Sequence, residues 1–167
     1  MSQVAVRKIG SDEAESRSLM ANLKALEERI RARAYALFKK RGEKDGSALD
    51  DWLAAEKGVL LTSESDLVES DGKFELQIAV PGFGANDLDV SVLPDALIVR
   101  AENAHKHEET EGNVCFCEFG GKSLFRRFDL PAPIDVNKVA ASLQKGVLKV
   151  TASKAEKTAP KSTSAAA

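Results

Sequence analysis

The residues with the most evident capacity for chemistry are two histidines and two cysteines in the second half of the chain. His105 and His107 flank one lysine, and Cys115 and Cys117 flank one phenylalanine. Alternate residues of a strand share a face, so two imidazoles could oppose two thiols, a donor set that suits tetrahedral zinc. His-x-His and Cys-x-Cys are unusual ligand spacings, however. The other interpretation is a solvated histidine pair and two cysteines on a short strand, and we predict no metal site.

Other catalytic patterns are missing from the sequence. It contains no glycine-rich phosphate loop, no Gly-x-Ser-x-Gly and no His-Glu-x-x-His. Acidic side chains are common, but they fall at solvent-facing strand positions and in loops, where nothing groups two of them for acid–base catalysis. We therefore predict a protein that is not an enzyme and that needs no cofactor.

Composition restricts the class of protein further. The 167 residues carry a net charge of -2, whereas nucleic-acid-binding proteins usually carry a strong basic excess. No apolar run approaches the ~20 residues needed to span a bilayer, and residues 1–10 lack the apolar core of a signal peptide. The two cysteines are too few for a disulfide framework. These features favour a cytoplasmic protein that binds neither nucleic acid nor a membrane.

Helical periodicity dominates the first half of the chain, where apolar residues recur at steps of three and four. Ser18 is a suitable N-cap and Gly42 a suitable stop for a first helix. Ser47 and Asp50 resemble a capping box for a second. We expect the two helices to pack as a hairpin through Leu19, Leu23, Leu26, Ile30, Ala34 and Leu37 on the first and Leu49, Trp52 and Leu53 on the second.

Opposite charges support the hairpin. Residues 19–41 contain seven basic and two acidic side chains, a net +5, whereas residues 42–56 contain five acidic and one basic, a net -4. We expect the acidic helix to neutralise the basic one within the module.

From residue 66 the period changes to two, which is typical of half-buried strands. Lys145-Gly146 suits a tight turn between the last two strands. Short strands at this spacing with no helix between them predict an antiparallel sandwich. Its alternating apolar positions include Phe74, Leu76, Ile78, Val80, Leu88, Val90, Val92, Leu97 and Val99.

The fold class is therefore predicted to be mainly β, an immunoglobulin-like antiparallel sandwich preceded by a helical hairpin. Four zones follow from the composition. Residues 1–17 are expected to be a flexible N-terminus, residues 18–61 a two-helix module, residues 66–155 the sandwich and residues 156–167 a disordered tail.

Three segments of the sandwich occur in an informative order. They are Val80-Pro81-Gly82-Phe83 followed by Asp87-Leu88, then residues 124–131 (Leu-Phe-Arg-Arg-Phe-Asp-Leu-Pro), then residues 141–148 (Ala-Ser-Leu-Gln-Lys-Gly-Val-Leu). Together they resemble the α-crystallin domain of small heat shock proteins. The resemblance implies an ATP-independent chaperone that binds partly unfolded proteins and suppresses their aggregation. Residues 35–56 resemble an uncharacterised bacterial two-helix domain, which implies a shape and no activity.

The resemblance also implies where client proteins bind. In the family a groove between two edge strands takes part, and here those strands are residues 88–93 and 139–143. Plain core packing is the other interpretation of each candidate: Val90, Val92, Val139, Ala141 and Leu143.

Two features bear on assembly. Many family members end in an Ile-x-Ile motif that docks on a neighbouring subunit, and residues 156–167 contain none, which puts large cages held by the tail in doubt. Val4-Ala5-Val6 is an alternative to that motif at its docking site, because alternating β-branched residues can fill paired pockets along a sheet edge. The competing interpretation is a stray apolar pair on a flexible end.

Arg126 and Glu118 are implied to form an ion pair at a dimer interface, where an arginine–carboxylate fork sets the register. The alternative is that Arg126 is a solvated strand residue. Residues 102–113 resemble the loop that carries a swapped strand in many bacterial and plant members, so we expect a symmetric homodimer or a larger oligomer.

Two rival functions stay open. One is an adaptor whose helical module selects a partner. The other is a metal or redox sensor at the histidines and cysteines.

Overall fold

The computed structural model describes residues 1–9, 13–103 and 121–156 of the chain. A 3-10 turn at Ala85–Asp87 precedes the fifth strand. Within these residues the elements in chain order are β1 Ser2–Gln3, β2 Ala5–Lys8, α1 Glu13–Lys40, α2 Ala48–Val59, β3 Ser65–Ser70, β4 Lys73–Ala79, β5 Leu88–Val92, β6 Ala96–Glu102, β7 Ser123–Asp129, β8 Ile134–Gln144 and β9 Val147–Lys154.

The strands form two sheets that enclose one core. Sheet A has the order β1-β8-β9-β4-β3 and sheet B the order β2-β5-β6-β7. Every neighbouring pair is antiparallel except β2 and β5. The predicted period of two is confirmed in β4, where Phe74, Leu76 and Ile78 are buried and Gln77 is exposed. The fold is therefore the predicted β-sandwich preceded by helices.

The β8–β9 hairpin confirms the turn predicted at Lys145-Gly146. Gln144 pairs with Val147, so the loop has two residues. Lys145 has φ 50° and Gly146 has φ 73°. Positive φ at both central residues is the type I′ arrangement, whose twist matches that of the two strands.

Helix α1 ends where the sequence predicted, but it begins earlier than predicted. Gly42 has φ 85°, its N–H donates to the Lys39 carbonyl and the Glu43 N–H donates to the Phe38 carbonyl, which is a Schellman C-cap. At the other end α1 starts at Glu13, five residues before Ser18. Glu13 forms a 2.7 Å ion pair with Arg17 one turn along, and acidic residues in a first turn favour helix.

The predicted capping box at the start of α2 is wrong. The Ser47 side chain makes no capping hydrogen bond. Instead the Asp51 carboxylate, one residue beyond the expected Asp50, accepts hydrogen bonds from Nε (3.0 Å) and Nη2 (2.8 Å) of Arg41. The pair lies where α1 ends and α2 begins, so it fastens the hairpin at its turn, and the hydrogen bond to Asp51 raises the pKa of Arg41.

The helices pack as the predicted hairpin, but through different residues. Leu49 and Leu53 are exposed, by 70% and 44%, so their predicted packing is wrong. Trp52 packs against the cluster between the helices, as expected. The apolar stripe of α1 is divided, because only its second half faces α2. The interhelical cluster comprises Leu26, Ile30, Ala34, Leu37, Trp52, Ala55, Val59 and Leu60.

The N-terminal segment differs from the expected flexible end. Ser2–Gln3 and Ala5–Lys8 form β1 and β2, which pair with β8 and β5. The local sequence gives little sign of this, because the hydrogen-bonding partners lie about 85 to 140 residues along the chain, and pairing at that separation depends on the assembled sandwich.

Candidate functional site

The strands predicted to border a client groove lie at the same side of the sandwich. β5 belongs to sheet B and β8 to sheet A, and the space between their edges is here called the β5–β8 groove. The N-terminal segment lies along it. Gln3 pairs with Ser142 of β8, and Ala5 to Lys8 run parallel to Asp89 to Val92 of β5. The groove is thus filled by the chain's own first residues.

Valines 4 and 6 are the groove's apolar contents. The Val4 side chain is 6% exposed, and its N–H donates to the Ala141 carbonyl at 3.1 Å. Val6 is partly buried and packs against the core. The Ile9 N–H donates to the Val92 carbonyl at 2.9 Å and closes the segment. The Val4-Ala5-Val6 pattern therefore occupies the groove within one chain.

The five predicted groove residues share one orientation. Val90 and Val92 are fully buried, Ala141 is 6% exposed, and Val139 and Leu143 are partly buried against the same core. The sequence did not decide which face of each strand these side chains occupy. In the structure all five point toward the sandwich interior. Their role in client binding stays a prediction.

Charged side chains flank the N-terminal segment. Arg7 Nε lies 3.1 Å from Asp89 Oδ1, with the two side chains 64% and 21% exposed. Lys8 Nζ donates to Asn137 Oδ1 at 2.6 Å. Exposed pairs of this kind contribute about 0–1 kcal/mol. Full burial of one valine contributes about 1.5–3 kcal/mol, and ordering each backbone residue costs about 1–2 kcal/mol. The side-chain contacts of the segment are therefore few: one buried valine, one partly buried valine and two surface pairs.

Among the described residues, Arg126 contacts its own chain. Its Nη1 donates to the main-chain oxygen of Ser63 at 2.6 Å, and its guanidinium carbon lies 4.9 Å from the centre of the Phe128 ring. Glu118, its predicted partner, lies outside the described residues. The interface role of both residues stays a prediction.

The segment that joins α2 to the sandwich follows the outer edge of β7. Leu60 forms a parallel bridge with Ser123, and the Leu61 N–H donates to the Ser123 carbonyl at 2.8 Å. Residues 60–63 are called the linker below. The linker and Arg126 together hold the two-helix module against this edge.

Arg29 of α1 provides a second attachment that sequence reasoning missed. Its Nη1 donates to Ser123 Oγ at 2.7 Å and to Glu102 Oε1 at 3.2 Å, and its Nη2 donates to the Gly121 carbonyl at 3.2 Å. The only local signal is a basic residue next to the buried Ile30. Ser123 thus accepts from both the linker and α1.

The first half of α1 lies over the outer face of sheet B and leaves a cavity of about 420 Å³ beneath it. Leu19 from the helix and Ile98 from β6 face this cavity, and Ile98 is 5% exposed. Arg7 and Ile9, which follow the groove segment, form another wall. The N-terminal strand and the start of α1 are therefore neighbours around one space.

The metal-site alternative lies outside the described residues, since His105, His107, Cys115 and Cys117 all fall in residues 104–120. Elsewhere, in the part of the chain that the structure covers, no three His, Cys, Asp or Glu side chains group to hold a metal ion. Neither α1 nor α2 is long and apolar enough to cross a membrane.

The architecture defines a β-sandwich of two mainly antiparallel sheets whose open side holds the added strands β1 and β2, together with a helical hairpin. Residues 66–165 match the Hsp20/alpha crystallin family model, and residues 25–60 match a family described as a protein of unknown function (DUF2934). The first match covers more than half of the chain. The chain therefore belongs to the Hsp20/alpha crystallin family, that of the small heat shock proteins.

Individual relatives are similar over half of the chain or more. The chloroplastic heat shock 22 kDa protein of Chlamydomonas reinhardtii is 36% identical over 93 residues, 54% of this chain and 59% of that protein. The 17.0 kDa class II heat shock protein of Zea mays is 26% identical over 133 residues, 80% of this chain and 86% of that protein. The chain thus spans about three fifths of the length of the algal relative.

Among solved structures, heat shock protein 16.0 from Schizosaccharomyces pombe is similar, with 30% sequence identity and a TM-score of 0.49. The alignment covers 64% of this chain and 99% of that one.

Proposed function

We propose that this protein is an ATP-independent chaperone that binds partly unfolded proteins and suppresses their aggregation in the cytoplasm. One observation carries the proposal: two strand edges of different sheets meet at an aliphatic groove that the short segment of β1 and β2 fills. An edge of this kind binds extended segments through main-chain hydrogen bonds, and pockets for alternate side chains select aliphatic residues. Unfolding proteins expose such segments.

Holding a client in this way requires no catalytic group and no nucleotide. Main-chain pairing does not depend on the client's sequence, and apolar side chains supply the favourable burial. The sequence contains no phosphate-binding loop. Membership of the small heat shock protein family supports the same function.

We propose a homodimer as the working unit. Within residues 1–9, 13–103 and 121–156, β3 pairs on one side only, with β4, and all but one of its residues are exposed. An unpaired edge is a template for another chain, so a strand from a second copy fits here. Arg126 and Glu118 are the residues we expect to contribute an ion pair to the dimer.

The test is light scattering by two unrelated heat-labile proteins, with and without this protein and without ATP. We expect suppression of both at near-stoichiometric ratios. Leu143→Gln places an amide in the groove and should weaken suppression at least several-fold. Val147→Gln is the matched control, because Val147 is 37% exposed next to the buried Leu148. No suppression of either client across temperatures would overturn the proposal.

A second candidate function is an adaptor whose two-helix module selects one partner. The observation in its favour is the set of apolar side chains that the module exposes: Met20, Tyr35, Leu49 and Leu53. Exposed apolar groups of this kind mark interaction surfaces when they are contiguous. An adaptor binds one protein and protects none, so the scattering experiment separates the two functions.

A further inference from the structure

The cavity beneath the first half of helix α1, here called the α1–sheet B cavity, lies between a helix face and a sheet face. Its volume of about 420 Å³ falls within the range of about 300–1,000 Å³ that is typical of small-molecule pockets. Its floor consists of two cross-strand pairs of β5 and β6, Asp89 with Arg100 and Ser91 with Ile98. Because residues two apart along a strand share a face, these four side chains form one patch on the outer surface of sheet B.

Small and polar side chains of the helix keep this space open. Ala14, Ser18 and Asn22 follow one another at steps of four along α1, so they share a face, and all three line the cavity. Further along the same helix the larger Leu26 and Ile30 pack against α2. A leucine at position 18 would fill part of the space, so the residue types at this end of the helix preserve a cavity.

The charges of the lining are unevenly compensated. Arg7 lies 3.1 Å from Asp89, so these two charges compensate each other. Glu15 also lines the cavity, but it is exposed, and water solvates its carboxylate. Arg100, by contrast, is half-buried, and its guanidinium has no hydrogen-bond, ion-pair or cation–π partner among the residues that the structure describes. A half-buried cation without a counter-ion favours an anion in the space that it lines.

Aliphatic side chains complete the lining. Leu19 contributes apolar surface from the helix, Ile9 from the N-terminal segment and Ile98 from β6. Asn22 and Arg100 line both this cavity and the smaller pocket that adjoins it beneath α1, so the two residues lie close together. Apolar walls with a few convergent polar groups are the usual composition of a small-molecule site, in which the polar groups fix the orientation of the ligand.

We propose that the α1–sheet B cavity binds a small amphipathic carboxylate, such as a medium-chain fatty acid. Its carboxylate accepts hydrogen bonds from the Arg100 guanidinium, whose planar fork matches a carboxylate, and from the Asn22 amide. Its alkyl chain packs against Leu19, Ile9 and Ile98. This site goes beyond the chaperone function and does not depend on it.

A carboxylate bound in this way joins helix α1 to sheet B. It contacts Leu19 and Asn22 on the helix and Ile98 and Arg100 on β6, so it binds only while the helix lies on the sheet. A ligand that binds one arrangement of a protein stabilises that arrangement by mass action. The ligand should therefore slow amide hydrogen exchange in the first turns of α1.

Calorimetric titration of the full chain with octanoate tests the site. We expect saturable binding, and octanol, which has the same chain length but no charge, should bind at least tenfold more weakly. Arg100→Gln should weaken octanoate binding at least tenfold. Arg127→Gln is the matched control, because Arg127 is exposed, pairs with Asp129 and does not line the cavity. No saturable binding of octanoate, equal affinities for octanoate and octanol, or equal losses in the two variants would each overturn the proposal.

A second pair of variants fills the space and removes no charge. Ser18→Leu places a larger side chain in the cavity and should weaken octanoate binding at least tenfold, whereas Ser16→Leu makes the same change at an exposed helical position outside the lining and should not. The Ile98 methyl resonances locate the ligand, because octanoate should shift them in the wild type and not in Ser18→Leu. Unshifted Ile98 methyls in the wild type, or equal binding by the two leucine variants, would show that octanoate binds elsewhere and that the proposal is wrong.

Discussion

Arg126 donates a 2.6 Å hydrogen bond to the main-chain oxygen of Ser63, and this bond links β7 to the segment that carries the two-helix module. The residue that family resemblance assigns to a dimer interface thus has a partner within its own chain. The hydrogen bond to the linker and the expected ion pair with a second copy of the chain can be tested separately.

The first prediction concerns the linker. Arg126→Ala should speed amide hydrogen exchange at Leu61. It should also lower the free energy of unfolding by about 1.5–3 kcal/mol, the typical contribution of a hydrogen bond to a charged group. Ser63→Ala is the matched control, because it keeps the carbonyl acceptor and removes only a hydroxyl that is buried without a partner in the described residues. Equal exchange at Leu61 in both variants would show that Arg126 does not hold the linker.

The second prediction concerns assembly. Arg126→Ala should weaken or reshape the dimer, because the resemblance places an arginine–carboxylate fork at that interface. Sedimentation measures this directly as the mass distribution and the dissociation constant. Arg127→Ala is a suitable comparison, since Arg127 pairs with Asp129 of its own strand at 2.7 Å and is exposed. A dissociation constant that stays at the wild-type value in Arg126→Ala would remove this residue from the interface.

The third prediction concerns the helical hairpin. A Cβ added at Gly58 of α2 would lie 2.6 Å from Arg33 Nε of α1, so glycine leaves space for the guanidinium. Alanine is favoured over glycine in a helix by up to about 1 kcal/mol. Gly58→Ala should therefore stabilise an Arg33→Ala background by about that amount and the wild type by less. Chemical denaturation of the wild type, the two single variants and the double variant gives the coupling free energy between positions 33 and 58. Additive effects of the two substitutions would contradict the close approach.

The fourth prediction concerns acid stability. The hydrogen bond from Lys149 lowers the pKa of Glu75 below its ordinary value of 4.5, with a further contribution from Gln77. A lowered folded-state pKa means that Glu75 supports stability above its unfolded pKa and that this support is lost as the pH falls through the folded value. Glu75→Gln should show a smaller loss of stability between pH 5 and acid than the wild type.

A direct titration provides the check. In Lys149→Met the pKa of Glu75, followed by NMR, should rise toward its ordinary value. The Lys154–Glu69 ion pair joins β9 to β3, across β4, and is untouched by this change, so Lys154→Met is the control and should leave the pKa of Glu75 unchanged. A Glu75 pKa that does not respond to Lys149→Met would assign the shift to another cause.

Local patterns in the sequence predicted the elements whose signals are local. The alternation at Phe74, Leu76 and Ile78 predicted a half-buried strand, Gly42 predicted the end of α1, and Lys145-Gly146 predicted the hairpin. Each depends on side-chain period or on backbone conformation within a few residues, and neighbours in the sequence decide both.

The errors share a different cause. The capping box at Ser47 failed because the Ser47 backbone, at φ -130° and ψ 26°, lies outside the extended conformation that an N-cap residue adopts. The prediction for Leu49 and Leu53 is wrong because period alone does not reveal which face of an apolar helix meets which neighbour. The stripe of α1 was divided between α2 and sheet B for the same reason.

The sequence by itself determined the class of fold, the order of hairpin before sandwich and the family, because hydrophobic period, turn residues and the three signature segments are encoded locally. Only the tertiary structure decided that Val4 and Val6 fill the β5–β8 groove, that Arg126 bonds to Ser63 and that Arg29 bonds to Ser123. These contacts join residues 63 to about 140 positions apart. They exist because two sheets, once packed, leave edges whose hydrogen-bonding groups need partners.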